Sequence, residues 1–528
     1  MQETYLNQRK IYLALALPGC GKTHKFLTTI QKLINSGKKV VYSLPTKALA
    51  SEVIGRIPSE IKVTRIDSDT KASTNTTRAL NDALAPTSDI SFIMCQHATL
   101  HTCSTAHLKD WILVIDETPE ILDTYSYTFT KSQFEKINYI EVSNNRIRIK
   151  KGMQTSLLDD IKEYRSAISE AHTTNASTVS KQVHDIYSAL AEGCEVFYGL
   201  GKTGETEANS NHNTQAEKTR TVRIIRENDF FSRFSAAGEI HLLTATVVSG
   251  LFDHYVKLNG YAYATSIFTP ETRTSFPPIR IFPMLLKPTT FSKSIALAEN
   301  DSQPGTNNLK AMIGLVLEKL DQDRCLLFAH EWGQTNNDPR VVVCPFDSRG
   351  IDTLKQHRNA MVFIHGNPPA PELRSLEYLA EKHNTSLSEL RYAWKVTKKY
   401  EYTLQNVFRT GLRITHNPCK SKFETDKEIC LFVQDYETAE YLKTQHLPTA
   451  VVDESLATNY RIGKPRGRRQ HPKKTVMIQM IMARCTNEEI EKETGLSRKT
   501  ICQERKLLGI PARPKMQAAL TADNKQPM

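Results

Sequence analysis

Two short stretches of this sequence have the residue types needed to hold a phosphate, ALPGCGKTHKF at 16–26 and YGLGKTGE at 198–205. Such a loop needs consecutive backbone N–H groups turned towards the anion, a lysine to reach the β and γ phosphates, and a hydroxyl facing Mg2+. In the first stretch Gly19 and Gly21 let the backbone wrap closely, Lys22 supplies the charge and Thr23 the metal-facing oxygen. Pro18, Cys20 and His24 complete the loop. The run that follows, HKFLTTIQKLI, reads as a helix whose N-terminus adds partial positive charge. The second stretch continues as GETEANSNHNTQ, which has no helical period and cannot present a helix end. It is read as a loop, and the nucleotide is assigned to the first stretch.

The elements that must position this loop alternate along the chain. IYLALAL, KKVVYSL, DISFIMC and WILVIDE are strand-like runs separated by helix-like stretches, the pattern of an α/β unit with a parallel sheet. Residues 121–236 break that pattern with a hairpin (INYIEVSNNRIRIKK), helical stretches such as LLDDIKEYRSAISEAH, and a polar loop over 201–220. EIHLLTATVV then returns to it. A second α/β unit carries strands at RCLLFAH, RVVVCPF, AMVFIHG and EICLFVQ. The expected layout is a first lobe over 1–284 with an insertion at about 121–236, and a second lobe over 285–453. A basic linker over 454–474 and a small all-α module over 475–515 follow.

Composition sets bounds. At 528 residues, 39% hydrophobic and 24% charged, the chain suits a multidomain soluble protein. No apolar run approaches the roughly 18 residues that span a bilayer, and MQETYLNQRK lacks the layout of a signal peptide. Ten cysteines with no CxxC pair suggest neither a zinc site nor a disulfide framework, so a reducing cytoplasm is expected. His97, His101, Cys103 and His107 offer no partner pair for a metal. The net charge of +12 is concentrated at the end, where residues 455–528 hold 16 Lys and Arg against 6 Asp and Glu. That is the footprint of a polyanion-binding module.

With Ala16 where the general phosphate-loop pattern has glycine, A-x-x-G-x-G-K-T resembles motif I of superfamily 2 helicases. Likenesses to the family's other motifs follow in order. PTKALA (45–50) resembles motif Ia, which implies backbone contact with a tracked strand by Pro45, Thr46 and Lys47. MCQHATL (94–100) carries a Gln-His pair, Gln96 and His97. VIDETPE (114–120) looks like the DExx box, implying that Asp116 holds Mg2+ through water and Glu117 deprotonates the attacking water. Thr118 and Pro119 depart from the DEAD and DEAH forms. TAT (244–246) resembles motif III, linking the acids to strand binding through Thr244 and Thr246. CLLFAH (325–330) is acceptable as motif IV. DSRGID (347–352) resembles motif V, which implies strand contacts from Ser348 and Arg349 and nucleotide contacts from Gly350 and Asp352. QNVFRTGLR (405–413) resembles motif VI, with Gln405 in place, Arg409 as the expected arginine finger and Arg413 as a second. Phe408 and Leu412 depart from that pattern.

The resemblance implies two RecA-like lobes, an ATP- and Mg2+-dependent ATPase, and a single strand of nucleic acid in the cleft. In the tail, Pro-Arg-Gly-Arg with Arg466 and Arg468 resembles an AT-hook, although a plain basic linker fits equally. TVMIQMIMARCTNEEIEKETGLSRKTICQERKLLGI (475–510) looks like a helix-turn-helix. There Thr486 and Ser497 cap helices, Gly495 makes the turn, and Arg498, Lys499, Gln503 and Arg505 face duplex DNA. The combined expectation is a DNA helicase or translocase in the replication of a phage, plasmid or mobile element. The alternative is a replication initiator or regulator that uses ATP only as a switch. A viral packaging ATPase ranks third, because motif V and VI likenesses stand where its nuclease would be.

Overall fold

In the computed structural model the apolar runs of the first segment become neighbouring parallel strands. The structure describes residues 9–70, 75–171, 178–200, 219–271, 276–334, 338–348, 353–413, 428–460, 473–508 and 510. The first strands are Arg9–Leu15 (β1), Lys39–Leu44 (β2), Thr64–Ile66 (β3), Phe92–Gln96 (β4) and Trp111–Asp116 (β5). The chain then leaves for an antiparallel sheet made of Leu122–Phe129 (β6), Ile140–Ser143 (β7), Arg146–Ile149 (β8), Glu195–Leu200 (β9) and Arg220–Glu227 (β10). It returns with Glu239–Thr244 (β11) and Tyr261–Thr265 (β12), giving the seven-stranded order β12-β1-β11-β5-β2-β4-β3. Every residue of β5 is buried, because helices cover both faces of a parallel sheet.

A second parallel sheet contains Ile279–Pro283 (β13), Cys325–Ala329 (β14), Val341–Cys344 (β15), Asn359–Phe363 (β16), Ile429–Val433 (β17) and Val451–Val452 (β18). Its order is β15-β14-β16-β17-β13-β18. The strand β13 corrects the expected lobe boundary at 284, since it pairs with β17 inside the second sheet. Its short run IRIFP follows two prolines and carries no alternating pattern, so sequence alone did not mark it as a strand.

The inserted segment is a folded layer of its own. Its sheet runs β6-β10-β9-β8-β7, and the expected hairpin is β7–β8, turned by Asn144 and Asn145 at φ 50° and 60°. Asparagine tolerates that left-handed pair, which matches the twist of the strands. One sheet face packs on the helices Gln154–Ala171 and Thr178–Ala191 through Phe129, Leu157, Ile186 and Val222. Asn228 ties the base of the insertion to the main lobe, donating to the Glu120 carbonyl (2.8 Å) and the Asp123 carboxylate (2.9 Å). The second GKT, at 201–203, lies outside the described residues.

A second compact unit comprises residues 298–306 and 460–528. Its described helices are Lys474–Met482, Asn487–Thr494 and Arg498–Leu508, packed around Met477, Ile481, Ile490 and Ile501. Thr486 and Glu489 form a reciprocal capping box, and Gly495 ends that helix at φ 68°. Arg498, Lys499 and Gln503 are exposed. Arg505 corrects the expectation of a DNA-facing side chain: it is buried, donating from Nε to Asn487 Oδ1 (2.8 Å) and from Nη2 to the Cys485 carbonyl. Removing it leaves both acceptors without that donor. Arg505→Ala should therefore cost this unit about 2 kcal/mol, seen as faster hydrogen exchange of its helix amides in the full chain. Arg466 and Arg468 lie outside the described residues. Among the described residues no helix is long and apolar enough to cross a membrane.

Candidate active site

The phosphate loop joins the end of β1 to the helix Lys22–Asn35. Gly19 and Gly21 adopt φ 77° and 89°, a backbone region that L side chains rarely enter. Gly21 is the N-cap and provides no side-chain cap, so the first helical N–H groups are presented by bare backbone. Lys22 is buried, with Nζ donating to the carbonyls of Ala16 (2.6 Å) and Leu17 (3.2 Å). Burial lowers its pKa, while Glu117 and Asp116 oppose that shift. The Ala16 N–H donates to the Thr244 carbonyl (3.2 Å), fixing the loop to the end of β11.

Asp116 closes β5, in the centre of the sheet, and is fully enclosed. Its Oδ2 accepts from the Tyr42 hydroxyl and, at 3.5 Å, from Thr23 Oγ1. Burial, and next the Glu117 charge, push its pKa up to about 6, against the pull of Tyr42, Lys22 and Thr23. Thr23 and Asp116 converge on one point beside the phosphate loop, which fits a magnesium ion held by one carboxylate, a hydroxyl and the nucleotide's phosphates. Tyr42, on β2, was not singled out from sequence, because KKVVYSL reads only as a buried strand. Its hydroxyl favours the ionised carboxylate that a magnesium site requires. The acid limb of kcat/KM should fall near pH 6, and Tyr42→Phe should move that limb to higher pH, as a pH–rate profile would record.

Glu117 follows at φ 66°, a strained conformation for a side chain of this size. The Glu117 N–H donates to the Leu243 carbonyl (2.8 Å), so the neighbouring strand holds the strain in place. Its Oε2 accepts from Gln405 Nε2 at 2.9 Å, a bond between the two lobes. Gln405 stands on the helix Tyr402–Val407, which continues a π-helical stretch, Val396–Glu401. That stretch also reaches the first lobe. Leu251 N–H donates to Thr397 Oγ1 (2.9 Å), and Lys398 pairs with Glu120. The buried pair Lys399–Asp435 (2.7 Å) anchors it in the second lobe.

The two candidate arginines part company. Arg413 lies on the phosphate loop itself, its Cγ only 2.7 Å from where a Cβ on Gly19 would be. Gly19 is therefore required twice, for its backbone angle and for the approach of Arg413. Arg413 also acts electrostatically on Lys22. Arg409, the expected finger, is buried at the end of its helix, with its N–H donating to the Asn406 carbonyl (3.0 Å). Leu412 occupies the usual arginine position and is fully buried, so the chain reaches the loop one residue later.

A cavity of about 260 Å³ is lined by Glu117 together with Pro45, His97, Thr246, Glu120, Lys398 and Gln405 among others. The structure thus brings together Pro45, His97 and Thr246 from three separate motifs. Thr244 does not join them. It is buried, and its hydroxyl donates to the Thr246 carbonyl (2.8 Å), closing a turn rather than facing a strand. Ser348 is likewise buried, donating to Asn406 Oδ1 (2.6 Å). Thr46 caps the helix Lys47–Ile54 by accepting from Leu49 N–H, and Lys47 pairs with Asp69 (2.6 Å). Gln96 ends β4. Arg349, Gly350 and Asp352 lie outside the described residues. Among the described residues no cluster of three His, Cys, Asp or Glu could hold a metal.

A family model described as DEAD/DEAH box helicase matches residues 2–156. Among solved structures, an XPD helicase aligns over 84% of this chain and 96% of its own, at 11% identity and a TM-score of 0.46. Xpd4 of S. tokodaii covers 84% and 96%, at 9% identity and a TM-score of 0.44. S. cerevisiae Dbp5 bound to RNA and ADP BeF3 covers 85% and 86%, at 10% identity and a TM-score of 0.34. No curated protein matches the chain. The stretch similar to DEAD/DEAH box helicases, residues 2–156, contains the phosphate loop and the adjacent acids Asp116 and Glu117.

Proposed function

We propose that this chain is an ATP-dependent DNA helicase or translocase of superfamily 2, acting in the cytoplasm in the replication of a phage, plasmid or mobile element. The observation that carries the motor reading is that one site draws on both lobes. Gln405 bonds Glu117, and Arg413 lies against Gly19. With ATP in that cleft, Lys22 neutralises phosphate charge, Glu117 takes the proton of the attacking water, and Arg413 meets the charge developing on the γ-phosphate. Thr23 and Asp116 would hold a magnesium ion there, which would supply further charge neutralisation. Because residues of both lobes must meet for hydrolysis, each turnover closes and opens the cleft. Strand contacts around Pro45, Gln96, His97 and Thr246 then change their spacing against the second lobe.

The DNA preference rests on the basic tail. The three-helix unit supports the reading of a helix-turn-helix in which the exposed Arg498, Lys499 and Gln503 meet a duplex. Strand displacement measured beside ATP turnover tests the proposal. Displacement of a labelled strand that stops with Lys22→Ala is the expected result. Turnover without displacement would instead assign the chain to ATP-switched initiators.

A further inference from the structure

The helices Ala370–Lys382 and Leu387–Lys395 stand in the chain between β16 and Gln405, inside the second lobe. Their apolar faces turn elsewhere. Leu376, Leu379 and Trp394 are buried in one cluster with Leu122 on β6, Ile225 on β10 and Leu251 of the first lobe. The core cluster around Ile281, Phe328, Val362 and Leu431 of the second sheet holds none of the side chains of these two helices. The one buried side chain that this core takes from the first lobe is the methyl of Ala245. Polar contacts divide in the same way. Glu227, closing β10, accepts from the Tyr255 hydroxyl of the first lobe (2.8 Å), lies 2.9 Å from His383 Nε2 and pairs with Lys382. Glu195 on β9 accepts from the Tyr378 hydroxyl (2.7 Å). Bodies joined through an apolar interface move together, whereas polar contacts let them part.

Two connections join this helix pair to the second sheet, and they touch each other. The entering one runs from β16 through Gly366, Asn367, Pro368 and Pro369, and the leaving one is the π-helical stretch Val396–Glu401. A Cβ added at Gly366 would lie 2.5 Å from Lys399 Cβ and 3.2 Å from Lys395 Cγ, so glycine is what allows the two to cross. Neighbouring residues of the π-helical stretch face opposite ways. Thr397 accepts from Leu251 N–H (2.9 Å) and Lys398 pairs with Glu120, both on the first-lobe side. Lys399 pairs with Asp435 (2.7 Å), and the Tyr400 ring stacks on Tyr441 at 4.3 Å, both in the second lobe. A π turn is a common place for a helix to bend, and hinges occupy a few residues at the ends of elements. Gln405, which bonds Glu117, stands on the helix that follows directly.

We infer that the helices at 370–395 form an arm that stays with the first lobe and its insertion through the nucleotide cycle, so that the hinge of the motor lies inside the second lobe, at 366–369 and 396–401. The inference rests on the reading of the chain as an ATP-driven motor. It gives the insertion a task. Its sheet holds the arm, and the arm, through the π-helical stretch, sets Gln405 against Glu117.

The test is resonance energy transfer in the full chain, between dyes attached to azide-bearing residues introduced in pairs at the exposed positions Lys32, Arg391 and Gln445. These stand on the first lobe, the arm and the second lobe, and each labelled chain is used only if it keeps ATP turnover. Transfer is compared without nucleotide and with ADP–aluminium fluoride plus oligothymidylate bound. The pairs Lys32/Gln445 and Arg391/Gln445 should change together, while Lys32/Arg391 stays constant. Hydrogen exchange gives a second reading: amides at 376–394 should be equally protected in both states, and those at 396–401 should differ. A change in Lys32/Arg391 equal to that in Lys32/Gln445, with Arg391/Gln445 constant, would overturn the inference, because the arm would then travel with the second lobe. No change in any pair while analogue and strand are bound would instead defeat the opening and closing motor itself.

Discussion

Arg413→Ala is expected to lower strand-stimulated ATP turnover by roughly a thousandfold, because an arginine that neutralises the γ-phosphate is worth on the order of 10³ or more in kcat. Nucleotide affinity should change little, since that charge develops only in the transition state. Lys22→Ala should behave differently and lose nucleotide binding as well, because its ammonium sits inside the loop. Arg409→Ala gives the contrast within the second lobe. Arg409 is buried, so its removal should appear first as lost stability, in thermal unfolding of the full chain. Steady-state ATPase assays with and without single strands, beside nucleotide titrations, separate the three.

Glu117→Gln should cost roughly 10² to 10⁴ in kcat, the usual range for losing a positioned general base. The substitution keeps the size of the side chain and the left-handed backbone, so the fold should be preserved. Binding of Mg·ATP should persist or tighten, since removing the Glu117 charge also removes a cause of the raised Asp116 pKa. Gln405→Ala should give a smaller loss of kcat, because Gln405 orients the base without replacing it. Single-turnover measurements would place both losses in the chemical step.

The sequence made the phosphate loop and its acids legible where chemistry demands particular residue types in a row. Gly19, Gly21, Lys22 and Thr23 lie as expected at a strand-to-helix loop, and Asp116 ends the central strand. Alternation of apolar runs with helical stretches likewise marked two parallel sheets, and the stretch INYIEVSNNRIRIKK marked the hairpin of the insertion. What sequence could not supply was three-dimensional proximity. Tyr42 is one aromatic in a buried strand until β2 pairs with β5 and brings its hydroxyl to Asp116. Choosing between Arg409 and Arg413 depends on how the last helical turn ends, which a motif with two substitutions does not encode. Thr244, Ser348 and Arg505 share a further difficulty. Each is a polar residue at a motif position, yet each is turned inwards to satisfy backbone or side-chain groups of its own unit.

Binding of ADP with aluminium fluoride, an analogue of the transferring phosphoryl group, tests the two-lobed site most directly. Wild type should bind ADP–aluminium fluoride far more tightly than ADP alone in the presence of strand, and Arg413→Ala should lose most of that difference while its ADP affinity stays within a few-fold. Equal retention of tight analogue binding by Arg413→Ala would mean that the second lobe contributes no charge to the reacting phosphate, and the account of a shared catalytic cleft would be wrong.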